Sequence, residues 1–538
     1  MPLSSIAELA GGLGLFLLGM LMLTDGLRLA AGGVLRDILR RFTRTPLRGL
    51  GSGALVTAAV QSSSAVTVML IGFINAGLLT FSQSLWVIFG ANLGTSMTGW
   101  LVAIVGFKLQ IETFALPLVA LGMVLRLSGA RTRRGGLGTA IAGFGVLFVG
   151  LSLLQGGFAE TATRVTLPTG GGLLTVGWLL LIGFGLTVAM QSSSAALAIA
   201  LTAAHTGVVD VQGAAVVVIG VNVGTTATAV LASIGATSNA KRTAGAHIGF
   251  NLVTGAAALL LLPVLLPALL RLQDGVFADD SPAVSLALFH TAFNLLGVLL
   301  MVPLAGAMGR FLERRFTRGE EQPTRPQHLD DTVAEVPELA VAALVREVSA
   351  VGAATIDAAC SALHGRLSAT EAARLGQQVT DIGTGVNDFV VRMNREGLAE
   401  DTSVQLASVL RAKRSYETIA LQIDDLVPWP AGLSEAEPYV GAAVTLLRST
   451  HPEAADEGDP ASPTLAHTDV LYRELRARLL VDGARGAVDV AEMERMLNVA
   501  SSTRRILKKA TEAALLLSAP GTVLGPEGEE PATAMVAE

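Results

Sequence analysis

The sequence predicts an all-α, polytopic membrane protein: two inverted repeats containing re-entrant hairpins and broken helices, followed by a soluble helical bundle. Three observations predict it. The first is composition: 51% of the 538 residues are hydrophobic and 15% charged, against about 25% charged in an average soluble domain, and mean hydropathy is +0.57. The second is the segregation of charge. No Asp, Glu, Lys or Arg occurs from Gly49 to Phe107, from Val165 to Val209 or from Val211 to Ala240, whereas beyond about Arg310 charges are frequent. The third is a polar run that occurs twice, QSSSA at Gln61–Ala65 and at Gln191–Ala195. Both copies lie deep in apolar sequence, where polar groups are costly unless paired.

Along the chain, apolar segments run over approximately 6–30, 50–79, 84–107, 111–127, 136–155, 172–204, 213–236, 243–270 and 283–308. About 20 apolar residues cross a bilayer as a helix. Several segments are interrupted by glycine and polar clusters: the two QSSSA runs, GANLGTS at 90–96 and GVNVGTT at 220–226. Irregular backbone at membrane depth is tolerated only where it is buried in protein or lines a wet cavity, so these clusters read as helix breaks and hairpin tips. The membrane body is placed at 1–310, with repeat 1 over about 6–107, repeat 2 over about 136–236 and further spans within 243–308. The opening MPLSSIAELAGG has no basic stretch or cleavage motif, so the first apolar segment reads as retained. Residues 311–338, polar and proline-bearing, read as a linker. From 339 to about 518 apolar residues recur at three- and four-residue intervals, the period of bundled helices. Residues 519–538, rich in Pro, Gly and Glu, read as a disordered tail. The single cysteine, Cys360, excludes an internal disulfide and suits a reducing cytosol. A net charge of −6 gives no support for nucleic-acid binding.

The four clusters form two copies of one unit. Gln61 to Gln191 is 130 residues, as is Asn92 to Asn222, and aligning 61–105 on 191–235 without a gap gives 14 identities in 45 positions. Gly19, Leu23 and Gly26 likewise match Gly150, Leu154 and Gly157 at an offset of 131. This is an internal duplication. Basic residues orient it. With the loops around 31–48, 126–134, 241–242 and 310–318 in the cytoplasm, 15 Lys and Arg lie inside and 3 (Lys108, Arg164, Arg271) outside. The first copy then begins inside near Leu50 and ends outside near Lys108, and the second begins outside near Arg164 and ends inside near Lys241. The copies are therefore inverted, with the N-terminus outside and the C-terminal bundle cytoplasmic.

Inverted repeats with discontinuous helices build secondary transporters, whose substrate and ion sites lie near the midplane at the repeat interface. Gln, Ser, Thr and Asn oxygens, with carbonyls freed at helix breaks, suit a hard cation such as Na⁺. The same hydroxyls and amides can donate to an anion, and helix N-termini beginning after QSSS or after NxGT would add N–H groups and a positive dipole end. With no Lys or Arg in either repeat core, an anion needs co-bound cations to neutralise it. Isolated Ser and Thr in membrane helices are usually packing residues; a polar run duplicated in register with a second polar run points to a ligand site.

QSSSAVTV followed by GANLGTSMT, then QSSSAALA followed by GVNVGTTATA, resembles the type II sodium-phosphate cotransporter family over roughly 1–310. The resemblance implies an inner-membrane, multi-pass symporter of inorganic phosphate with Na⁺ as the coupling ion and no organic cofactor. Carried onto this chain, it makes Gln61, Ser62, Ser63, Ser64, Gln191, Ser192, Ser193 and Ser194 the substrate-site candidates. Asn92, Thr95, Ser96, Asn222, Thr225 and Thr226 become the helix-break partners that hold sodium, together with Gln191 and Ser194. Bacterial members commonly carry a PhoU-like helical domain where 339–518 stands, and a homodimer or a cytosolic regulatory partner through that segment is the further expectation. A carrier of another oxyanion, or a membrane phosphate sensor signalling through the helical domain, are the competing readings.

Other polar residues carry plainer expectations. AHIGFN (His247, Asn251) and FHTAFN (His290, Asn294) each place His and Asn on one helix face. They read as hydrogen-bonding cross-links between the helices at 243–270 and 283–308. Asp210 and His205 read as solvated loop residues. In the bundle Glu417 has Leu421 where a metal-binding pattern needs Asp, so Glu417, Asp424 and Asp425 read as a solvated helix face. No HExxH motif, CxxC cluster or triad supports an enzyme.

Overall fold

The computed structural model describes residues 3–108, 112–129, 132–162, 172–234, 236–277, 280–317, 325–334, 336–393, 400–430, 433, 437–452 and 463–518. The tail at 519–538 lies outside them. They fall into two compact units, one of 1–74 and 78–317 and one of 318–538 with the turn 75–77, and every described element is helical.

The first unit comprises α1 (Leu3–Arg41), α2 (Pro46–Val60), α3 (Ser63–Asn75), α4 (Phe81–Gly94), α5 (Ser96–Trp100, continued by π-helical turns over Leu101–Lys108) and α6 (Glu112–Leu127). It continues with α7 (Arg133–Ala162), α8 (Leu173–Met190), α9 (Ser193–His205), α10 (Val211–Ser233), α11 (Ser238–Phe277) and α12 (Pro282–Arg315). Eight helical stretches among the described residues are long and apolar enough to cross a membrane, and seven of them belong to this unit. The protein is a multi-pass membrane protein. Pro117, Pro263, Pro267 and Pro303 sit inside helices, as membrane helices allow where neighbours satisfy the freed carbonyl.

The apolar run 50–79 is not one span. It forms α2 and α3, of 15 and 13 residues, each about 20 Å long at 1.5 Å per residue against a hydrocarbon core of about 30 Å. Glycines fix how they lie. A Cβ on Gly53 would meet Val87 and Ala91, one on Gly90 would meet Leu50, and one on Gly94 would meet Ala54 and Thr57. Contacts that advance together along both helices mean that α2 and α4 run parallel, so α3 must return between them and the pair makes a hairpin. The second copy repeats this contact by contact: Gly183 faces Val217 and Val221, Gly220 faces Leu180, and Gly224 faces Phe184 and Thr187. The turns repeat as well. Gly77 and Gly207 both have positive φ, and Thr80 and Asp210 cap α4 and α10. Helices α1 and α7 approach through Gly12, Gly19 and Gly26 against Gly150, Gly143 and Gly136, in antiparallel order.

One sequence expectation is corrected here. GANLGTS does interrupt a helix, at Thr95 between α4 and α5, but GVNVGTT does not: α10 runs unbroken from Val211 to Ser233. Asn222, Thr225 and Thr226 are interior residues of that helix rather than its break. The Thr225 and Thr226 hydroxyls bond back to Asn222 O and Val223 O, which leaves the helical ladder in place.

The second unit holds α13 (Asp331–Ala334), α14 (Pro337–Leu363), α15 (Ala369–Arg392), α16 (Glu400–Gln422), α17 (Pro438–Ser449), α18 (Leu465–Ala484) and α19 (Val490–Ser518). By length and apolarity α14 also qualifies as a span. Its sequence includes Arg346, Glu347 and Asp357, however, and charged side chains in lipid are costly. The buried Glu347 carboxylate accepts the backbone N–H groups of Gln327 and His328 at 2.8 and 2.7 Å, so α14 is a core helix of the bundle. Tyr416, Tyr439 and Phe389 fill that core.

Candidate functional site

Each QSSS run is a helix end followed at once by a helix start. Val60 ends α2, and Gln61 turns into the left-handed region at φ 56°, its N–H returning to Thr57 O at 2.7 Å. Gln191 ends α8 in the same way at φ 50°. These are the two non-glycine residues with positive φ among the described residues. Backbone in that region costs free energy and persists where surroundings impose it, commonly at functional sites. Ser62 and Ser192 then cap the next helix, their Oγ accepting Ala65 N–H at 3.2 Å and Ala195 N–H at 3.3 Å. That leaves the first-turn N–H groups of Ser63, Ser64, Ser193 and Ser194 pointing along the positive ends of α3 and α9.

The two runs meet through a residue the motif search missed. Thr98, 1% exposed on α5, donates its hydroxyl to Gln61 Oε1 at 2.8 Å and lies 3.4 Å from Ser194 Oγ. Gln61 Nε2 in turn donates to Ala58 O at 2.6 Å. Thr98 therefore joins the tip of the first copy to that of the second. Its signal was present: Thr98 and Thr228 are one of the identities at offset 130. The copies differ in exposure. Gln61 is buried, whereas Gln191 and Ser64 are exposed; Ser62, Ser63, Ser192, Ser193 and Ser194 are half-buried.

A second polar cluster lies on α4, α10 and α11. Asn222 Nδ2 donates to Asn251 Oδ1 at 2.8 Å, and Asn251 Nδ2 donates to Asn92 Oδ1 at 3.2 Å and to His247 O at 2.9 Å. Thr225 Oγ1, which donates to Asn222 O, lies 3.1 Å from His247 Nε2. The same His247 Nε2 lies 3.2 Å from Asn251 Nδ2, so the imidazole nitrogen sits between the Thr225 hydroxyl and the Asn251 amide. Thr95 bonds Asn92 O, and Ser96 Oγ accepts from Asn294 Nδ2 at 3.2 Å and reaches His290 O at 3.4 Å. Among the described residues the His–Asn pairs thus make no hydrogen bond between α11 and α12. Asn251 bridges the equivalent asparagines of the two copies, and Asn294 reaches Ser96 on α5. Asn92, Asn222, Asn251 and Asn294 are all at most 4% exposed; amides that deep usually find partners, and here Asn294 Oδ1 is the amide oxygen among these four that has none.

Asp210 is exposed, as expected, and its carboxylate also caps α10 by accepting Gly213 N–H at 2.8 Å. His205 is exposed and stacks on Phe107 with centroids 4.2 Å apart. In the second unit Glu417 pairs with Lys413 at 3.0 Å and Asp425 with Ser502 at 2.9 Å. Among the described residues no group of three His, Cys, Asp or Glu is placed to hold a metal.

These neutral oxygens and amides, with two helix starts and no basic side chain in the motifs, can coordinate a hard cation and donate to an oxyanion. The family model described as Na⁺/Pi-cotransporter matches residues 15–156 and 177–277. A Bacillus subtilis protein named "Uncharacterized protein YqeW" is 36% identical over 302 residues, 55% of this chain and 94% of that one. YjbB of Salmonella typhimurium, named "Putative inorganic phosphate export protein", is 28% identical over 427 residues, 77% of this chain and 76% of its own length. Sodium-dependent phosphate transport protein 2A of Rattus norvegicus is 36% identical over 105 residues, 19% of this chain and 16% of that protein. No solved structure matches. The matches to the family model and to YqeW, the latter nearly end to end, establish that this chain belongs to the Na⁺/Pi-cotransporter family.

Proposed function

We propose that the protein moves inorganic phosphate across the cytoplasmic membrane coupled to Na⁺, with both bound where the QSSS runs of inverted repeats converge. The observation that carries this reading is the Thr98 bridge from Gln61 to the neighbourhood of Ser194, which brings one tip of each copy to one buried place. Ser63, Ser64, Ser193 and Ser194, at the starts of α3 and α9, supply N–H groups and hydroxyls to phosphate; Gln61 and Gln191 orient the tips. Asn92, Thr95, Ser96, Asn222, Thr225 and Thr226, with Gln191 and Ser194, supply oxygens to Na⁺, which neutralises the anion. The antiparallel order of α1 and α7 supports the inverted relation of the copies. The basic loops support a cytoplasmic C-terminal bundle, whose role in this reading is regulatory.

Relatives that match most of this chain are named as phosphate export proteins, so export is the second reading of direction. Gradients set the direction of a coupled carrier, and one site serves both.

The test is uptake of radiolabelled phosphate into proteoliposomes under an inward Na⁺ gradient, with K⁺ in its place as control. Accumulation with Na⁺ only is the expected result. Phosphate binding without accumulation would favour a sensor, and competition by sulfate or organic acids would favour another substrate. Gln61→Ala or Gln191→Ala should abolish coupled flux while the protein stays folded; undiminished transport in both would sink the site assignment.

A further inference from the structure

The two copies match in sequence and contact but not in state. Gln61, Thr98 and Ser194 form a set whose counterparts at offset 130 are Gln191, Thr228 and Ser64. The first set is assembled: Gln61 is 9% and Thr98 1% exposed, with the bonds described above. The second is not. Gln191 and Ser64 are exposed, and the half-buried Thr228 hydroxyl is turned back to Thr225 O at 2.7 Å.

An independent asymmetry runs the other way. Thr187 Oγ1 on α8 donates to Val221 O at 3.0 Å. Its counterpart Thr57, 1% exposed on α2, has a hydroxyl with no partner, although Ala91 O is the equivalent acceptor. A buried hydroxyl without a partner is unfavourable, and an alternative conformation that pairs it can recover that cost.

We propose that Thr228 is a positioning residue for transport, whose hydroxyl engages the Gln191 carboxamide in an opposite-facing state as Thr98 engages Gln61 here. In that state Ser64 lies beside Thr228, Thr57 donates to Ala91 O, and the Gln61–Thr98 bond is released. Each copy thus has two arrangements of the same residues, and the copies adopt opposite ones. This inference rests on the carrier reading above and names the side chains that exchange at its site.

The test uses the full chain in lipid nanodiscs with Cys360→Ser. Gln61→Cys with Thr98→Cys, and Gln191→Cys with Thr228→Cys, are introduced separately and together, treated with a short thiol-bridging reagent and read by mass spectrometry. Each pair is expected to bridge on its own, and the four-cysteine chain to carry one bridge per molecule. Failure of the 191/228 pair with and without Na⁺ and phosphate, while 61/98 bridges, overturns the proposal, as do two bridges in one molecule. The measurement needs no transport, so absence of Na⁺-driven uptake by the natural protein would sink the carrier reading separately. A second arm keeps the glutamines and decides the matter if neither pair bridges. Thr98→Val and Thr228→Val should each raise the phosphate KM roughly tenfold, the scale of one lost hydrogen bond, on opposite faces of the membrane, with Ser in place of Thr restoring it. Equal loss on both faces would mark Thr228 as structural and overturn the proposal.

Discussion

Gln61 and Gln191 hold a backbone conformation that glycine adopts more easily, yet each carries a long polar side chain. Gln191→Gly removes left-handed strain of about 1 kcal/mol and no side-chain hydrogen bond described in the structure. A higher melting temperature together with lost coupled transport is expected. Gln61→Gly gains the same relief but leaves the Thr98 hydroxyl without its acceptor, so its melting temperature should rise less. Because Gln61→Gly also removes the Gln61 Nε2–Ala58 O bond, equal shifts for the two would mean that neither that bond nor the Thr98 bond contributes. Cys360 offers a different residue-scale check. Burial pushes its thiol up to about 11 despite the opposing Arg448 charge, so little thiolate exists at neutral pH. Maleimide labelling of the folded protein should be slow and should become rapid on denaturation.

Between elements, backbone proximity carries the packing. On α2 and α8, Gly53 and Gly183 sit where any Cβ would overlap a carbonyl of the partner helix. Gly53→Val and Gly183→Val should each cost about 1–3 kcal/mol through forced separation of α2 from α4 and α8 from α10. Size-exclusion chromatography after heating would show the loss, and unchanged stability would argue against the close parallel packing. Asn251→Leu keeps the volume similar but leaves Asn92 Oδ1 and Asn222 Nδ2 without partners. A loss of about 1–2 kcal/mol is expected, the scale of interhelical hydrogen bonds in membranes. In a double-mutant cycle, Asn92→Ala and Asn251→Leu should be non-additive, because they share one bond.

Over the whole molecule, the two units predict separability. Residues 325–518 expressed alone should be soluble and helical by circular dichroism; aggregation would mean that α14 belongs in lipid. Arg504 donates to Asp469 at 2.7 Å and holds that carboxyl below its usual range. A depressed carboxylate contributes stability that is complete above its unfolded pKa and lost as pH falls through the folded one. The bundle should therefore melt at lower temperature at about pH 3 than at pH 7, and Asp469→Asn should flatten that dependence. Because both groups are partly exposed, the effect should be small.

Composition, the charge-free stretches and the duplicated QSSSA determined by themselves that the chain is a helical membrane protein built from two copies of one unit. Apolar length and period are local properties, and an offset of 130 needs no coordinates. The same local view failed at GVNVGTT, because glycine and polar residues mark a break only where tertiary contacts do not support the helix, and Asn251 and the packed α8 support α10. It could read QSSSA as a tip but not see that Gln61 is buried and Gln191 exposed, since identical sequences carry no sign of how each copy is packed. Nor could it join Gln61 to Thr98 and Ser194, or Asn251 to both asparagines. Those partners come from different helices, and only the packing of backbones at glycine-lined contacts decides which polar atoms, far apart in the chain, arrive within hydrogen-bond reach.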